Sequence, residues 1–322
     1  MNRYCHFTTI EREKLLIYKI SGKSLRAISS VLGKSPSAIC RELKRNTNGE
    51  NPYSPSEAER LYRVRRLRCR RKRRLDKEKE LCDIVHHALV ELYWSPEQIA
   101  NRLRCEDSGK IIGTSTIYRA IYNGPLRKSM TGCLRIKSKT LGKSKGPHRK
   151  GFIHQTICDR PEAAEKRSEC GHFECDTVIA SRGQGYIFTN VDRKSRLLVA
   201  AISHAKDSDA FNKCSYEAFA RAGIQPKTFT CDRGSEFAGH DTLKKLLKVD
   251  VYFAHPYSPW ERGTNENTNG LLRQFFPKLS SFYDLTKENL NEVVWLLNLR
   301  PRKCLGWMTP FEVFYDKVLH LT

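Results

Sequence analysis

The chain has 322 residues, enough for two or three domains with substantial cores. Its formal charge is +23, and residues 1–150 hold 35 Lys and Arg against 14 Asp and Glu, so nearly all of the excess lies in this half. No apolar run of about 18 residues and no signal-peptide pattern are found, which argues against a membrane or secreted protein. We expect a soluble cytoplasmic protein, nucleoid-associated if bacterial, with a DNA-binding front half and reduced cysteines.

Three short helices are predicted within residues 1–50. Thr8 or Thr9 can cap the first helix, Ser24 the second and Ser35 the third. The second and third helices, joined by a glycine turn, form a helix-turn-helix unit whose last helix would enter the major groove. A small helical bundle with no DNA role is the alternative. We expect Ser37 and Arg41 to contact bases, and Lys44 and Arg45 to contact phosphates.

A basic segment and a second, weaker helix-turn-helix pattern are predicted within residues 51–125. From Arg60 to Arg74, ten of fifteen residues are Arg or Lys, which predicts tight, salt-dependent DNA binding without sequence preference. The alternative is a solvated helix or linker face. Ser95 can cap the first helix of the second pattern, and residues 114–122 form its partner. The expected DNA contacts in this region are Arg65, Arg66, Arg68, Arg70, Arg71, Thr116 and Arg119.

Residues 126–152 are a predicted linker, rich in Gly, Lys, Ser and Pro, that leads into a catalytic domain at 153–322. Three strands in hairpin order followed by helix-linked strands predict a mixed sheet with helices on its faces, a pattern that several α/β folds share. The predicted strands are 171–180, 185–191, 197–203, 227–232 and 250–254, and the predicted helices are 208–222, 240–248 and one that carries Glu266.

Three acidic residues of this domain have the local sequence that a two-metal phosphoryl-transfer site requires. Asp176 lies in the first strand, Asp232 ends the fourth, and Glu266 opens a helix capped by Thr264 or Asn265, on the face opposite an apolar stripe. Grouped carboxylates repel one another unless divalent cations neutralise them, and hard oxygen ligands select Mg²⁺ or Mn²⁺. Two such ions would activate an attacking hydroxyl and stabilise the leaving oxygen of a phosphodiester. The plain alternative is three unrelated surface acids.

Four blocks of the sequence carry a resemblance to a known family. They are GHFExD at 171–176, TxDxGxEF at 230–237, HPYSPWERGTNENxNGLxR at 255–273 and LNxRPRKxLGWxTPxE at 297–312. These blocks resemble the signature blocks of DDE transposases of the insertion sequence 30 family, and the resemblance covers most of the chain. Cys175 stands where glycine is usual and Arg233 where asparagine is usual, and neither replaces a metal ligand.

The resemblance implies an RNase H-like, retroviral-integrase-like core, Mg²⁺ dependence, and cutting and joining at the ends of a mobile element. Carried over by position, Asp176, Asp232 and Glu266 are the catalytic and metal-binding triad, and Asn269 and Arg273 lie near the DNA. We therefore expect a multidomain transposase, with an all-α helix-turn-helix region and an α/β core, that binds terminal inverted repeats and target double-stranded DNA. Synapsis of two ends implies a homo-oligomer. The alternatives are a DNA-binding regulator with an inactive core and a metal-dependent nuclease that does not join strands.

Overall fold

The computed structural model describes residues 5–47, 52–69, 73–106, 110–123, 126, 155–256, 258–278 and 280–320. Contacts divide the chain into two compact units, residues 1–77 and 78–322. This division groups the second predicted helix-turn-helix with the predicted catalytic residues, whereas the sequence grouped it with the basic segment, so the predicted domain boundaries stay a proposal. Apart from Leu126, the predicted linker lies outside the described residues, as do Arg70 and Arg71.

The N-terminal unit contains the three predicted helices and two more. Thr8 caps the first helix and forms a capping box with Glu11, and Ser24 and Ser35 accept backbone N–H groups at the next two. Gly33 ends the second helix at a φ of 62°, in the left-handed region that glycine adopts without steric cost. The core of this unit consists of Phe7, Leu15, Ile28, Ile39, Tyr53 and Ala58. Its helices are α1 (Thr9–Ile20), α2 (Leu25–Leu32), α3 (Pro36–Asn46), α4 (Pro55–Arg68) and α5 (Arg74–Lys77).

The C-terminal unit begins with helices that pack onto the end of the chain. Ser95 caps the second of them through a capping box with Gln98, as its sequence predicts. From this helix Arg102 donates to both carboxylate oxygens of Glu312, at 2.9 and 2.6 Å, and to the Leu319 carbonyl. These bonds attach the second predicted helix-turn-helix to the chain's last helix. The helices before the sheet are α6 (Lys79–Val90), α7 (Pro96–Cys105), α8 (Thr114–Asn123) and α9 (Glu162–Glu165).

A five-stranded mixed sheet forms the centre of this unit, in the order β3-β2-β1-β4-β5. β1 pairs antiparallel with β2 and parallel with β4, and β5 pairs parallel with β4. Its two faces are apolar and covered, as the sequence predicts for helices on both sides. The strands are β1 (His172–Ile179), β2 (Tyr186–Asp192), β3 (Leu198–Ser203), β4 (Thr228–Cys231) and β5 (Asp250–Phe253), and the helices are α10 (Ser208–Ala222), α11 (His240–Leu247), α12 (Gly263–Leu272), α13 (Lys287–Asn298) and α14 (Pro310–Tyr315).

The start of α12 differs from the prediction. Thr264 and Asn265 lie in its first turn instead of capping it, and a short 3-10 helix, Pro259–Arg262, precedes it. The cap comes from β1, where a carboxylate oxygen of Glu174 accepts the backbone N–H groups of Thr264 and Asn265 at 3.1 and 3.2 Å. A negative charge at a helix N-terminus is stabilising, but its position in another strand hides it from local sequence patterns.

Two other expectations concern membranes and thiols. None of the described helices is long and apolar enough to cross a bilayer. Every cysteine in the described part of the chain is a free thiol.

Candidate active site

Parallel pairing of two strands brings Asp176 and Asp232 together. Glu174 of β1 lies opposite Thr230 of β4. Two residues further on, Asp176 in β1 and Asp232, which directly follows the last residue of β4, therefore lie close together at the same edge of the sheet. Each carboxylate is fixed by a backbone N–H, from Thr177 to Asp176 at 2.9 Å and from Gly234 to Asp232 at 2.8 Å. The first two predicted acids thus share one site.

Arg262 bridges the two aspartates from the 3-10 helix before α12. Its Nη2 donates to Asp232 Oδ2 at 2.7 Å, and its Nη1 lies 3.7 Å from Asp176 Oδ1. The same Nη1 donates to the Cys175 carbonyl at 2.7 Å, which fixes the guanidinium against β1. A positive charge therefore lies between the two carboxylates.

The charges of this group are strongly coupled. Burial raises the pKa of Asp176. The negative charges of Asp232 and Glu236 raise this pKa further, whereas the positive charge of Arg262 lowers it. Burial disfavours the charged form of Arg262, but Asp232 and Asp176 raise its pKa overall. The nearby carboxylates thus outweigh the cost of burial and make positive charge favourable at this edge of the sheet.

Glu236 is a third carboxylate at this edge, and the sequence reading did not assign it a role. It is buried, and its Oε1 accepts the Thr177 hydroxyl at 2.9 Å and lies 3.2 Å from the Lys206 ammonium. Its Oε2 has no hydrogen-bond partner among the described residues. A Cβ placed on Gly234 would lie 2.6 Å from that oxygen and 2.8 Å from Asp232 Oδ1, so a side chain at this position would require the carboxylates to move. The sequence signal that could have pointed to Glu236 was its position in the TxDxGxEF block, which resembles a signature block of the family.

Glu266 lies on α12 with an exposed side chain, as predicted from its helical face. In the part of the chain that the structure describes, no three Asp, Glu, His or Cys side chains are grouped as a metal site. The membership of Glu266 in the catalytic triad therefore stays a prediction. From the next turn of α12, Asn269 donates to Asp176 Oδ2 at 2.8 Å and accepts the Thr189 hydroxyl at 3.1 Å. Arg273 donates to the Ile179 carbonyl at 2.7 Å, so both residues predicted to lie near DNA are attached to the sheet.

The donor atoms of the aspartate pair suit a hard divalent cation. Asp176 and Asp232 present carboxylate oxygens at one strand edge, and each oxygen has lone pairs beyond the hydrogen bond it accepts. The guanidinium between them and the unpartnered Glu236 Oε2 are further signs that this edge accommodates positive charge. Asp176 and Asp232 therefore fit a metal, whereas Glu266 adds no contact to the pair among the described residues.

The residues predicted to contact DNA differ in exposure. Ser37, Arg41, Lys44 and Arg45 are all exposed on α3. Arg66, Arg68 and Arg119 are also exposed, and Thr116 is half-buried. Arg65 instead donates to Asn46 Oδ1 at 2.7 Å, so part of its role is to attach α4 to α3.

Two family models match parts of the chain. An integrase core domain matches residues 167–259, which include both aspartates, and a helix-turn-helix domain matches residues 3–46. The fold and the site therefore define an integrase-core protein with a helix-turn-helix domain at its N-terminal end.

Curated relatives match nearly the whole chain. The transposase for insertion sequence element IS1086 of Cupriavidus metallidurans is 34% identical, over 97% of this chain and 94% of its own. The transposase InsI for insertion sequence element IS30A of Escherichia coli is 36% identical, over 96% of this chain and 83% of its own. The chain belongs to the insertion sequence 30 family of transposases. A solved structure, the catalytic core domain of BIV integrase, is 19% identical over 45% of this chain and 94% of its own, with a TM-score of 0.36.

Proposed function

We propose that this chain binds the terminal inverted repeats of its insertion sequence and catalyses metal-dependent cleavage and transfer of DNA strands. The grouping of Asp176 and Asp232 at the end of the paired strands β1 and β4, bridged by Arg262, in a chain of this family, is the observation that carries the proposal. The exposed polar face of α3, which includes Ser37 and Arg41, supports recognition of DNA by the N-terminal helices.

Asp176 and Asp232 would hold Mg²⁺ or Mn²⁺ in this proposal, with Glu266 as the third acid. When bound, the metal ions supply an activated hydroxyl and stabilise the departing oxygen of a phosphodiester. Asn269 fixes the carboxylate of Asp176 through its hydrogen bond, and Arg262 offsets the repulsion between the two aspartates. The reacting strand is held at the open edge of the sheet, where both aspartates are partly exposed.

One reaction distinguishes this function from the two alternatives. The full chain is incubated with Mg²⁺, a duplex that ends in the element's terminal repeat, and a target plasmid. We expect a joined product, in which the 3′-hydroxyl of the repeat is linked to the plasmid. Cleavage without any joined product would instead indicate a nuclease, and binding without cleavage would indicate a regulator with an inactive core. Either of these two results would overturn the proposal.

The same experiment includes a test of binding specificity. A duplex of scrambled repeat sequence, matched in length and composition, serves as the control for end recognition. Specific end binding should exceed binding to the scrambled duplex by about 10³-fold or more at physiological salt. Equal affinity for the two duplexes would remove the recognition of terminal repeats from the proposal.

A further inference from the structure

A pocket lined by arginines lies beside the 3-10 helix that carries Arg262, and the proposed metal chemistry assigns it no role. It has a volume of about 440 Å³, and its lining includes Arg160, Arg167, Arg193 and Trp260. That volume is within the range of about 300–1,000 Å³ that small-molecule sites occupy. Trp260 belongs to the same 3-10 helix as Arg262, and Arg193 pairs with Glu174, two residues before Asp176 on β1. The pocket and the aspartates therefore share one side of the sheet.

Two of the arginines form the buried base of this pocket. The side chains of Arg160 and Arg193 are 2% and 4% exposed. Arg193 donates to Glu174 Oε1 at 2.9 Å, and Arg160 pairs with Glu165 and donates to the Thr230 hydroxyl at 3.3 Å. The Nε of Arg160 nevertheless has no hydrogen-bond partner within the described residues. A buried N–H donor that lacks an acceptor is costly and is satisfied when a ligand supplies an oxygen.

The remaining charges leave one arginine of the pocket, Arg167, without an ion pair among the described residues. Glu165 already pairs with Arg160, and Glu261 accepts from the backbone and side chain of His255, both at 2.8 Å. Arg167 is exposed and makes no hydrogen bond or ion pair with any described residue. Burial lowers the pKa of Arg193 to about 10, Glu174 opposes this shift, and the positive charges of Arg160 and Arg167 add to it. An anion in the pocket would relieve this repulsion and complete the arginine hydrogen bonds.

Trp260 supplies a second kind of contact at the same pocket. Its side chain is 74% exposed, which is unusual for so large an apolar group. Every nucleic-acid base has a face that stacks on an exposed aromatic ring, and guanidinium groups bind phosphate through paired N–H donors. An exposed indole beside three guanidiniums therefore matches the chemistry of one nucleotide of a strand.

We propose that this pocket binds an unpaired nucleotide of the DNA strand beside the reacting phosphodiester, with its phosphate on Arg160, Arg167 and Arg193 and its base stacked on Trp260. The assignment rests on the proposed function, because it identifies the strand conformation that the same site takes. A base inside a duplex is already stacked on both faces, so the pocket selects a strand that is locally unpaired. The arginines hold the backbone and the tryptophan holds the base, without reading which base it is.

Photocrosslinking of the full chain tests this pocket directly. The probe is a single-stranded oligodeoxythymidine in which one base is replaced by iodo-deoxyuridine, irradiated without divalent metal, and the crosslinked residue is mapped by mass spectrometry. We expect a crosslink at Trp260, and Arg167→Glu should lower its yield by at least about ten-fold. Arg221→Glu is the control, since it makes the same charge change at an exposed arginine of α10 outside this pocket.

The pocket assignment is overturned if crosslinks occur only at other aromatic residues, or if Arg167→Glu and Arg221→Glu lower the yield equally. Competition by free thymidine monophosphate as strong as that by unlabelled oligodeoxythymidine would also overturn it, because the site would then take a free nucleotide. The Trp260 crosslink needs no metal and no strand transfer. Failure of strand transfer with the crosslink present counts against the proposed function, whereas loss of the crosslink with strand transfer intact counts against the pocket.

Discussion

Two arginines, one in each unit, bridge a pair of carboxylates in opposite surroundings. Arg12 joins α1 to α3 and α4 by pairing with Glu42 and Glu59, and its side chain is 1% exposed. Arg262 joins Asp232 and Asp176, and those three side chains are 15%, 41% and 28% exposed. In the first group Arg12 and Glu42 are buried and only Glu59 reaches solvent, so the group holds helices together. The second is open along one edge, so a ligand can reach the acids. The same residue types thus serve packing in one unit and a candidate active site in the other.

The largest effect on stability is expected at the closed bridge. Arg12→Ala leaves the buried Glu42 without its guanidinium and should destabilise the N-terminal unit by about 3–5 kcal/mol. Hydrogen exchange at the backbone amides of α3 in the full chain measures this loss. Arg63→Ala is the control, because Arg63 pairs with the same Glu59 at 2.8 Å but is 74% exposed, and it should cost less than about 0.5 kcal/mol. Equal losses for the two variants would show that the burial of Arg12 has no special effect.

A pH-dependent effect is expected at a third arginine bridge, where Arg102 pairs with Glu106 and Glu312. Burial raises the pKa of Glu312, but hydrogen bonds from Arg102 and from the Thr309 and Leu319 N–H groups lower it overall. Because its folded-state pKa is depressed, the stabilisation is present above the unfolded value of about 4.3 and is lost as the pH falls through the folded value.

Glu312→Gln should therefore cost about 1.5–3 kcal/mol at neutral pH, the range for a hydrogen bond to a charged group. The deficit should shrink as the pH falls below about 4.3, because the parent carboxyl then becomes protonated too. The measurement is thermal unfolding of the parent protein and of the Glu312→Gln variant, from neutral pH to below about 4.3. Glu97→Gln, at a 54% exposed side chain 3.7 Å from Lys303, is the control and should change little. A deficit independent of pH would rule out the charge of Glu312 as its cause.

At the open bridge we expect an effect on metal affinity. Arg262→Ala removes the positive charge between Asp176 and Asp232, so Mg²⁺ should bind more tightly, by about ten-fold. Calorimetric titration of the full chain with Mg²⁺ measures this change. Arg273→Ala is the control, since Arg273 donates to the Ile179 carbonyl and contacts neither aspartate. Weaker Mg²⁺ binding after Arg262→Ala would mean that the guanidinium organises the carboxylates more than it repels the metal.

The order of helices and strands could be read from the sequence because its signals are local. Ser24, Ser35 and Ser95 cap the helices that their positions predict, and the strand that carries Asp176 lies within one residue of its predicted bounds at each end. The parallel pairing of β1 with β4 brings residues 56 positions apart to one edge, and a spacing between motifs does not reveal such a contact. The local sequences of Asp176 and Asp232 made both candidates for one metal site, and the family resemblance assigned them to one triad.

The interactions that sequence reasoning missed depend on tertiary packing, and two of the three are non-local. Glu174 caps α12 from β1, Arg262 bridges the two aspartates, and Glu236 shares the space beside Gly234 with Asp232. Each depends on how strands and loops pack, so no periodicity or capping pattern contains it. All three residues are within the sequence blocks that resemble the family, but a matching block does not say what a side chain contacts.

Strand transfer by variants of the three acids is the most direct test of the central claim. Asp176→Asn, Asp232→Asn and Glu266→Gln each remove one proposed metal ligand while the α3 surface stays unchanged. Each should lower Mg²⁺-dependent strand transfer by roughly 10⁴-fold or more and leave binding to the terminal repeat nearly intact. Asp241→Asn, at a side chain 81% exposed on α11, should retain full activity. Substantial strand transfer by Asp176→Asn or Asp232→Asn would contradict the assignment of this site, and the same result for Glu266→Gln would remove the third acid alone.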